Sequence, residues 1–389
     1  MNRWAILAIL FIARASLGFQ FQTVGSVSEL MAADLGLTYT QVGTLIGLFM
    51  LPGLILSLPT GYLGGFAGDR ALVCFGLACL AVGGVLVAVS QNFALAALGR
   101  LICGAGFVFG TVFFAKMITD WFSGKEIATA MGVLVMSWPF GIAIGQIGHG
   151  WLAKSFSWQM AFYAASAFCV AGFSLVFLFY RQPANLQSTK SSAGSKLNRR
   201  EFLLVSLAAI VWAAFNAAYI VYLSFAPHLL MQSGFGPIHA AATASLASWA
   251  MIVSIPACGQ LADRSGLPDH VIYTCLCGGV VALLLLPYDV ASFALCLAVG
   301  LIGMAPAGVI MILPGEVLRP ENRAFGIGIF FSWYFVITAP APMIAGWLYD
   351  RSGKASWPLY FAAVLFVATA TANLIFRSVQ SRAPVRSAI

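Results

Sequence analysis

Twelve long apolar segments constrain the fold of this chain more than any other feature of its sequence. Backbone groups cannot stay unpaired in lipid, and the segments are too uniformly apolar for barrel strands. Each is therefore predicted to be a transmembrane helix of about twenty residues. Only 8% of the 389 residues are charged and 61% are hydrophobic, which excludes a soluble enzyme and a disordered protein. The segments lie near residues 4–24, 39–60, 71–90, 94–120, 127–151, 159–180, 201–230, 239–260, 271–287, 292–315, 325–349 and 358–377.

One long polar stretch, residues 181–200, separates the first six segments from the last six. Its content of Ser, Lys, Arg and Asn is typical of a flexible linker. The chain is therefore predicted to be an all-α polytopic membrane protein with a six-helix bundle on each side of the linker. The predicted parts are an N-terminal bundle over 1–180, the linker over 181–200, a C-terminal bundle over 201–377 and a tail over 378–389.

Basic residues are distributed unequally between the two predicted sides of the membrane. With the N-terminus inside, the outer side has only Lys154, Arg351 and Lys354, whereas the inner side has fourteen basic residues. This bias predicts that both termini and the linker are cytoplasmic, in the inner membrane of the cell, and it explains the net charge of +8 without nucleic acid. The fourteen are Arg3, Arg70, Lys125, Arg181, Lys190, Lys196, Arg199, Arg200, Arg264, Arg319, Arg323, Arg377, Arg382 and Arg386.

The two sets of six segments repeat one another. Ser137-Trp138 in the fifth segment and Ser332-Trp333 in the eleventh lie 195 residues apart. Asp69-Arg70 and Asp263-Arg264, each after a second or eighth segment, lie 194 apart. A duplicated six-helix unit is typical of transporters that move two halves about a central site, and the alternative is a duplication with no role in transport.

Two motifs carry a resemblance to a known family. Gly259-Gln260-Leu261-Ala262-Asp263-Arg264-Ser265-Gly266 matches the pattern G-x-L-x-D-R-x-G, and Arg100, Gly104 and Gly106 match R-x-x-x-G-x-G. The chain thus resembles the major facilitator superfamily over its whole length. The resemblance implies alternating access about a cavity lined by helices 1, 4, 7 and 10. Arg14 and Phe225-Ala226-Pro227 are similar, more narrowly, to the cyanate and nitroimidazole permease branch.

The resemblance also implies a latch in the cytoplasmic loops. In the family, the acidic residue of the first motif meets the start of a helix in the opposite half, as suits an anion at a positive helix end. The first-half copy has Gly65 and Phe66 in place of the acidic and basic residues, and Asp69-Arg70 follows as a substitute. The candidate latch residues are Asp69, Arg70, Asp120, Asp263, Arg264 and Arg323.

Three basic residues lie within membrane segments, where an ion is costly and normally faces a wet cavity. Arg14 lies eleven residues after Arg3, roughly 16 Å along the first helix, and is predicted to bind an anionic group with its two-point fork. The alternative is a structural arginine satisfied by carbonyl groups. Lys116 either contacts the solute or reaches the cytoplasmic interface, and Arg100 is interpreted as structural.

Uncharged residues complete the candidate site. Gln22 is nearer than Gln20 in helical angle to Arg14. For residues of the seventh segment, the alternative is ordinary packing at an aromatic belt. Trp138 and Trp333 are expected on the central wall. The predicted solute-binding residues are Arg14, Gln22, Lys116, Trp138, Asn216, Tyr219 and Trp333.

These features favour a transporter of a small anionic solute, with an exporter of hydrophobic or aromatic compounds as the alternative. No carboxylate lies at mid-depth in a segment, and His149 is the titratable candidate for proton coupling, with packing as its alternative. Neither a catalytic motif nor metal-ligand spacing occurs, so no enzyme activity and no cofactor are predicted. We expect a monomer whose partners are the solute and the lipid bilayer.

Overall fold

A computed structural model describes residues 2–63, 67–122, 126–182, 197–288, 290–319 and 322–381. Within them, twelve helices are long and apolar enough to cross a membrane, as predicted. Most of the predicted linker and tail lies outside the described residues, and the division into domains stays a prediction. The helices are α1 (Arg3–Leu35), α2 (Tyr39–Ser57), α3 (Asp69–Ala88), α4 (Phe93–Trp121), α5 (Ala130–Ser155), α6 (Trp158–Phe179), α7 (Arg199–Gln232), α8 (Pro237–Ser265), α9 (Pro268–Tyr288), α10 (Ser292–Val317), α11 (Phe325–Ser352) and α12 (Ser356–Ser381).

Local sequence signals set several helix ends. Thr38 Oγ1 accepts a hydrogen bond from the Gln41 N–H, and the Thr38 N–H donates to Gln41 Oε1. These two bonds form a capping box that starts α2. Gly36 ends α1 in the left-handed conformation at φ 62°, which glycine adopts without strain. These caps allow a short turn between two long helices.

Helix packing repeats between the two halves of the chain, here called the N-terminal half (α1–α6) and the C-terminal half (α7–α12). In the N-terminal half α1 packs on α5 and α3 packs on α6, and in the C-terminal half α7 packs on α11 and α9 on α12. Between the halves, α2 packs on α11 and α5 on α8. Equivalent helices therefore make equivalent contacts, in agreement with the repeat in the sequence.

The two ends of the helix bundle are named here by the helices that begin or end at them. The linker side is the end where α1 begins, α6 ends and α7 begins, and the far side is the end where α1 ends and α2 begins. Three crossings are interrupted. Regular helix in α2 stops at Leu48 and resumes at Pro52, α10 contains a π-helical turn over Val299–Gly303, and α11 is broken between Thr338 and Ala341. The breaks in α2 and α11 lie in one of the two helix pairs that meet across the halves.

Candidate solute-binding site and gates

Arg14 is anchored to α5 through one nitrogen. Its Nη1 atom donates to the carbonyl oxygens of Leu134 (2.6 Å) and Val135 (3.4 Å) and to Ser137 Oγ (3.0 Å). The Val135 carbonyl is available because Pro139, four residues later, has no N–H to close the helical hydrogen bond. Carbonyl oxygens thus satisfy one part of the guanidinium, as in the structural interpretation of Arg14.

The remainder of the Arg14 guanidinium is uncommitted. Among the described residues, Nε and Nη2 have no hydrogen-bond partner, and the side chain is only partly buried. Gly25, eleven residues later, lies on the same face of α1. A Cβ atom on Gly25 would lie 3.7 Å from Ser224 Cα in α7. At Gly25 this face of α1 therefore lies against α7 of the C-terminal half, whereas at Arg14 the described contacts are with α5.

All three guanidinium nitrogens of Arg100 are hydrogen-bonded within the protein. Its side chain is fully buried, its guanidinium lies 4.6 Å from the ring centre of Phe49, and each of its three nitrogens donates a hydrogen bond. These bonds join α4 to α1 and α2, so the structural interpretation describes Arg100 well. The acceptors are Leu45 O (3.0 Å), Gln20 O (3.3 Å), Phe21 O (3.2 Å) and Thr23 Oγ1 (3.4 Å).

Lys116 is held in ion pairs on the linker side. Its Nζ forms a close pair with Asp69 Oδ2, at the start of α3, and a second pair with Asp120 Oδ2 at 3.4 Å, one turn along α4. The Asp69 side chain is 1% exposed. Since two carboxylates occupy the ammonium group, Lys116 stabilises the α3–α4 pair, and no contact in the described part joins it to Arg14.

The other candidate latch residues do not meet across the halves in this conformation. Arg70 donates to the Phe177 carbonyl and lies 4.7 Å from the centre of its ring, within the N-terminal half. Asp263 and Arg264 are exposed and form no ion pair with a described residue. The side chain of Arg323 lies outside the described residues.

Trp138 belongs to an aromatic cluster in the N-terminal half. Its ring centre lies 5.3 Å from that of Phe21 and 5.0 Å from that of Phe107, and Phe49 contacts both phenylalanines. Trp138 itself is partly exposed. Trp138 is the residue after Ser137, which bonds Arg14, so the aromatic cluster and the Arg14 anchor belong to neighbouring positions of α5.

Candidates in the C-terminal half bond mostly to their own half. Tyr219 OH pairs with Ser248 Oγ at 2.8 Å, and Trp333 Nε1 donates to Ser206 Oγ at 3.1 Å. Asn216 donates to the Trp212 carbonyl, one turn back along α7, at 2.8 Å. Tyr219 is buried, whereas Asn216 and Trp333 are partly exposed, so these two are the better placed for contact with a solute.

Gln22 and His149, two candidates from the sequence, are buried and have side-chain atoms without a described partner. Gln22 is 2% exposed and its Nε2 has no hydrogen bond with a described residue, and the same holds for both ring nitrogens of His149. His149 packs edge-on against Phe19, with 4.2 Å between ring centres. The structure brings neither residue into contact with Arg14.

The far side is closed by direct contact between α2 and α11. A Cβ atom on Gly43 would overlap the Pro342 carbonyl, and one on Gly346 would overlap the Tyr39 carbonyl. Asp350 then caps the start of α2. It accepts from the Tyr39 N–H (2.9 Å), the Thr40 N–H (2.7 Å) and Thr40 Oγ1 (2.5 Å). A carboxylate at a helix N-terminus is favoured by both the free N–H groups and the helix dipole.

A second polar contact crosses the far side. Ser28 Oγ in α1 and His228 Nε2 in α7 are 2.7 Å apart. Together with the three bonds of Asp350, this contact joins the two halves on the far side. By contrast, none of the six ion pairs among the described residues joins the two halves: three lie in the N-terminal half and three in the C-terminal half. The conformation is therefore one in which the halves are fastened on the far side.

Sequence reasoning missed several of these residues. Asp350 and His228 lie at helix ends and match no motif, so they become visible only when α11 meets α2 and α7 meets α1. Pro139 is different, because a proline in a membrane helix always frees the carbonyl four residues earlier. That signal could have identified the Val135 carbonyl as one acceptor of Arg14. In the described part, no three His, Cys, Asp or Glu residues form a group able to hold a metal ion.

Comparison with known proteins agrees with this architecture. The family model of the Major Facilitator Superfamily matches residues 10–313 and 241–388. The chain therefore belongs to the major facilitator superfamily and is a multi-pass membrane transporter of that family. Quinolone resistance protein NorA of Staphylococcus aureus strain MRSA252 is 28% identical over 203 residues, which are 49% of this chain and 52% of the relative. The match spans about half the length of such curated relatives.

Solved structures share the whole fold. The nucleoside transporter NupG has a TM-score of 0.76 at 14% identity, with 97% of this chain and 100% of that chain covered. A bacterial homologue of the human lysosomal transporter Spinster, in an inward-facing and occupied conformation, has a TM-score of 0.70 at 16% identity, with 97% and 96% covered. These identities support the fold alone. The narrower resemblance to cyanate and nitroimidazole permeases stays a prediction.

Proposed function

We propose that this chain transports a small organic solute with an anionic group, and that Arg14 holds that group between the two halves. The observation that carries the proposal is the division of the Arg14 guanidinium: Nη1 donates to α5, whereas Nε and Nη2 have no partner among the described residues. Of the three intramembrane cations, Arg100 and Lys116 are neutralised or solvated by the protein. An ion kept at this cost in a membrane helix is best explained by a ligand.

The aromatic surface at Trp138 suggests the rest of the solute. A flat apolar body would stack on the indole while its anionic group reached the guanidinium, and an offset pair of this kind contributes roughly 0.5–1.5 kcal/mol. Transport would follow alternating access, in which the far-side contacts open as the linker side closes. We further propose an inner-membrane monomer whose linker side is cytoplasmic, with Gln22, Asn216, Tyr219 and Trp333 on the path.

The test is uptake into proteoliposomes with a panel of small carboxylates and phosphates. Arg14→Gln is expected to raise KM for a transported anion by about tenfold or more, because a hydrogen bond to a charged group contributes roughly 1.5–3 kcal/mol. Arg3→Gln is the matched control, since Arg3 lies on the same helix at the membrane edge and pairs with Glu126 at 2.7 Å. Equal kinetics for Arg14→Gln and the wild type would reject Arg14 as the anchor.

A second candidate function is export of neutral hydrophobic compounds. It is favoured by the aromatic cluster around Trp138 and by the drug-resistance name of the NorA relatives. Such a transporter would lose dye efflux on Trp138→Ala and keep it on Arg14→Gln. The reverse pattern, with anion transport lost on Arg14→Gln, supports the first candidate.

A further inference from the structure

His228 is a buried imidazole at the far-side contact between the halves, where α1 and α2 meet α7 and α11. This contact is here called the seam. It is 4% exposed, follows Pro227 near the far end of α7, and pairs with Ser28 of the opposite half. Two tyrosine rings pack around it, with ring centres 5.1 Å away for Tyr39 in α2 and 6.1 Å away for Tyr349 in α11. The ring therefore contacts three of the helices that must separate when the far side opens.

The hydrogen bonds of Ser28 favour the neutral form of the ring. Ser28 Oγ lies 3.1 Å from the Gly25 carbonyl, to which its hydroxyl donates. Its oxygen is then the acceptor for an N–H on His228 Nε2. A protonated imidazole carries a second N–H, on Nδ1, and no described residue accepts a hydrogen bond from that atom. In the closed seam the cation would thus be buried with one donor unpaired, which is costly.

His228 forms no ion pair with a described residue. Glu29, next to Ser28 on α1, is exposed, and the Asp350 carboxylate, next to Tyr349 on α11, accepts from three donors of α2. Tyr349 accepts from Gln232 Nε2 at 2.9 Å, and the Tyr39 ring packs edge-on against the imidazole, with 87° between the two planes. Phe225 is the remaining aromatic neighbour, on α7 itself.

We propose that His228 is a proton-binding site at the far-side seam and that its occupation opens the far-side gate. Once the seam opens, water accepts from the second N–H, so the open state binds the proton more tightly than the closed one. By linkage, acid on the far side then raises the population of the state open to that side. An imidazole ordinarily titrates near pH 6.5, so the effect is expected between about pH 8 and pH 5.5. This inference does not depend on the solute held at Arg14.

The experiment measures the separation of the halves by spin-label distances in nanodiscs. Labels at Gln91→Cys and Lys354→Cys are exposed on the far side of opposite halves, and the exposed native thiol is removed by Cys277→Ser. Between pH 8 and pH 5.5 the open-to-closed ratio of the otherwise wild-type protein is expected to rise by about tenfold, for a linkage of one proton. In His228→Gln, whose amide still donates to Ser28, the ratio is expected to change by less than about twofold.

Two further variants make the outcome decisive. His149→Gln is the matched control, because His149 is equally buried but packs within the N-terminal half, and its pH response should equal that of the wild type. Asp350→Asn should change the ratio at all pH values and keep the pH response. If His228→Gln does not fold, His228→Asn provides the same test. A wild-type ratio independent of pH, or a normal response in the His228 variants, would overturn the proposal, as would a response lost only in Asp350→Asn.

Discussion

At the scale of single residues, the three intramembrane cations differ in how many of their donors the protein uses. Within the part of the chain that the structure describes, Arg100 uses all three nitrogens, Lys116 pairs with two carboxylates, and Arg14 has no partner for Nε and Nη2. Their sequence positions are equally unusual, since each is a cation in an apolar helix. The functional difference therefore lies in the acceptors around each one.

The divided guanidinium of Arg14 predicts that lysine cannot replace it. A lysine has a single nitrogen, which the Leu134 carbonyl and Ser137 would occupy as they now occupy Nη1. Arg14→Lys is therefore expected to impair anion uptake nearly as much as Arg14→Gln, within about threefold in kcat/KM, although the charge is retained. Initial rates in proteoliposomes measure this, and a lysine variant with wild-type kinetics would mean that charge alone suffices.

Arg100 predicts a loss of stability rather than a change in solute affinity. Arg100→Gln removes charge-assisted hydrogen bonds to four groups of α1 and α2, each of which contributes roughly 1.5–3 kcal/mol, so a loss of several kcal/mol is expected. Thermal unfolding in detergent, followed by tryptophan fluorescence, should show a clear fall in melting temperature. The exposed pair in Arg3→Gln should show little, and equal melting of both variants would contradict this role.

The sequence predicted which residues are unusual better than it predicted their partners. Arg14 was recognisable because no lipid-exposed position tolerates an arginine at that depth. Its acceptors depend on the register of α1 against α5, where a Cβ on Gly141 would overlap the Ala15 carbonyl. Such close backbone packing follows from small residues spaced along both helices. Their pairing is a property of two segments together, and neither segment determines it alone.

At the scale of helices, the α2–α11 contact is the element that closes the far side. Gly43 of α2 lies so near the Pro342 carbonyl that the seam has no room for a methyl group. Gly43→Ala is therefore expected to increase the far-side open population severalfold, since even a cost of about 1.4 kcal/mol to the closed state is a tenfold change. The label pair at Gln91 and Lys354 measures it. Gly132, with open space around it, gives the control Gly132→Ala, and an unchanged ratio in Gly43→Ala would contradict the account.

Helix existence was predictable and helix interruption was not. Long apolar segments require helices in lipid, so the number of crossings followed from hydropathy. Pro52 and Pro340 lie at the breaks in α2 and α11, and because proline has no N–H each breaks the regular hydrogen bonding of its helix. The extent of each break does not follow from the proline alone, and the π-helical turn over Val299–Gly303 in α10 contains no proline.

At the scale of the whole molecule, the two halves repeat the same helix packing but differ in the side chains at equivalent helix ends. The contacts α2–α11 and α5–α8 are equivalent by the repeat, yet Asp350 caps α2 whereas Lys154 occupies the last turn of α5. The start of α8 accordingly has Gly236 and no side-chain cap. The α2–α11 contact thus includes hydrogen bonds to a carboxylate, whereas the α5–α8 contact depends on packing. Substitutions at Asp350 and Lys154 should therefore differ in their effect on the contact between the halves.

The distribution of charge over the molecule predicts its orientation. Fourteen basic residues on the predicted inner side against three on the outer side predict that the linker and both termini lie in the cytoplasm. A green fluorescent protein fused after Ile389 is expected to fluoresce, and a cysteine introduced at Ser191 should resist membrane-impermeant reagents in intact cells. A periplasmic reporter that is active at the C-terminus would contradict this orientation.

The most direct test of the central claim is ligand-induced stabilisation of the purified protein. At least one class of small organic anion is expected to raise the melting temperature of the wild type and of Arg3→Gln, because a ligand stabilises the folded state by mass action. The same anion should leave Arg14→Gln unchanged at equal concentration. Stabilisation of Arg14→Gln equal to that of the wild type, or stabilisation by neutral aromatic compounds alone, would contradict it.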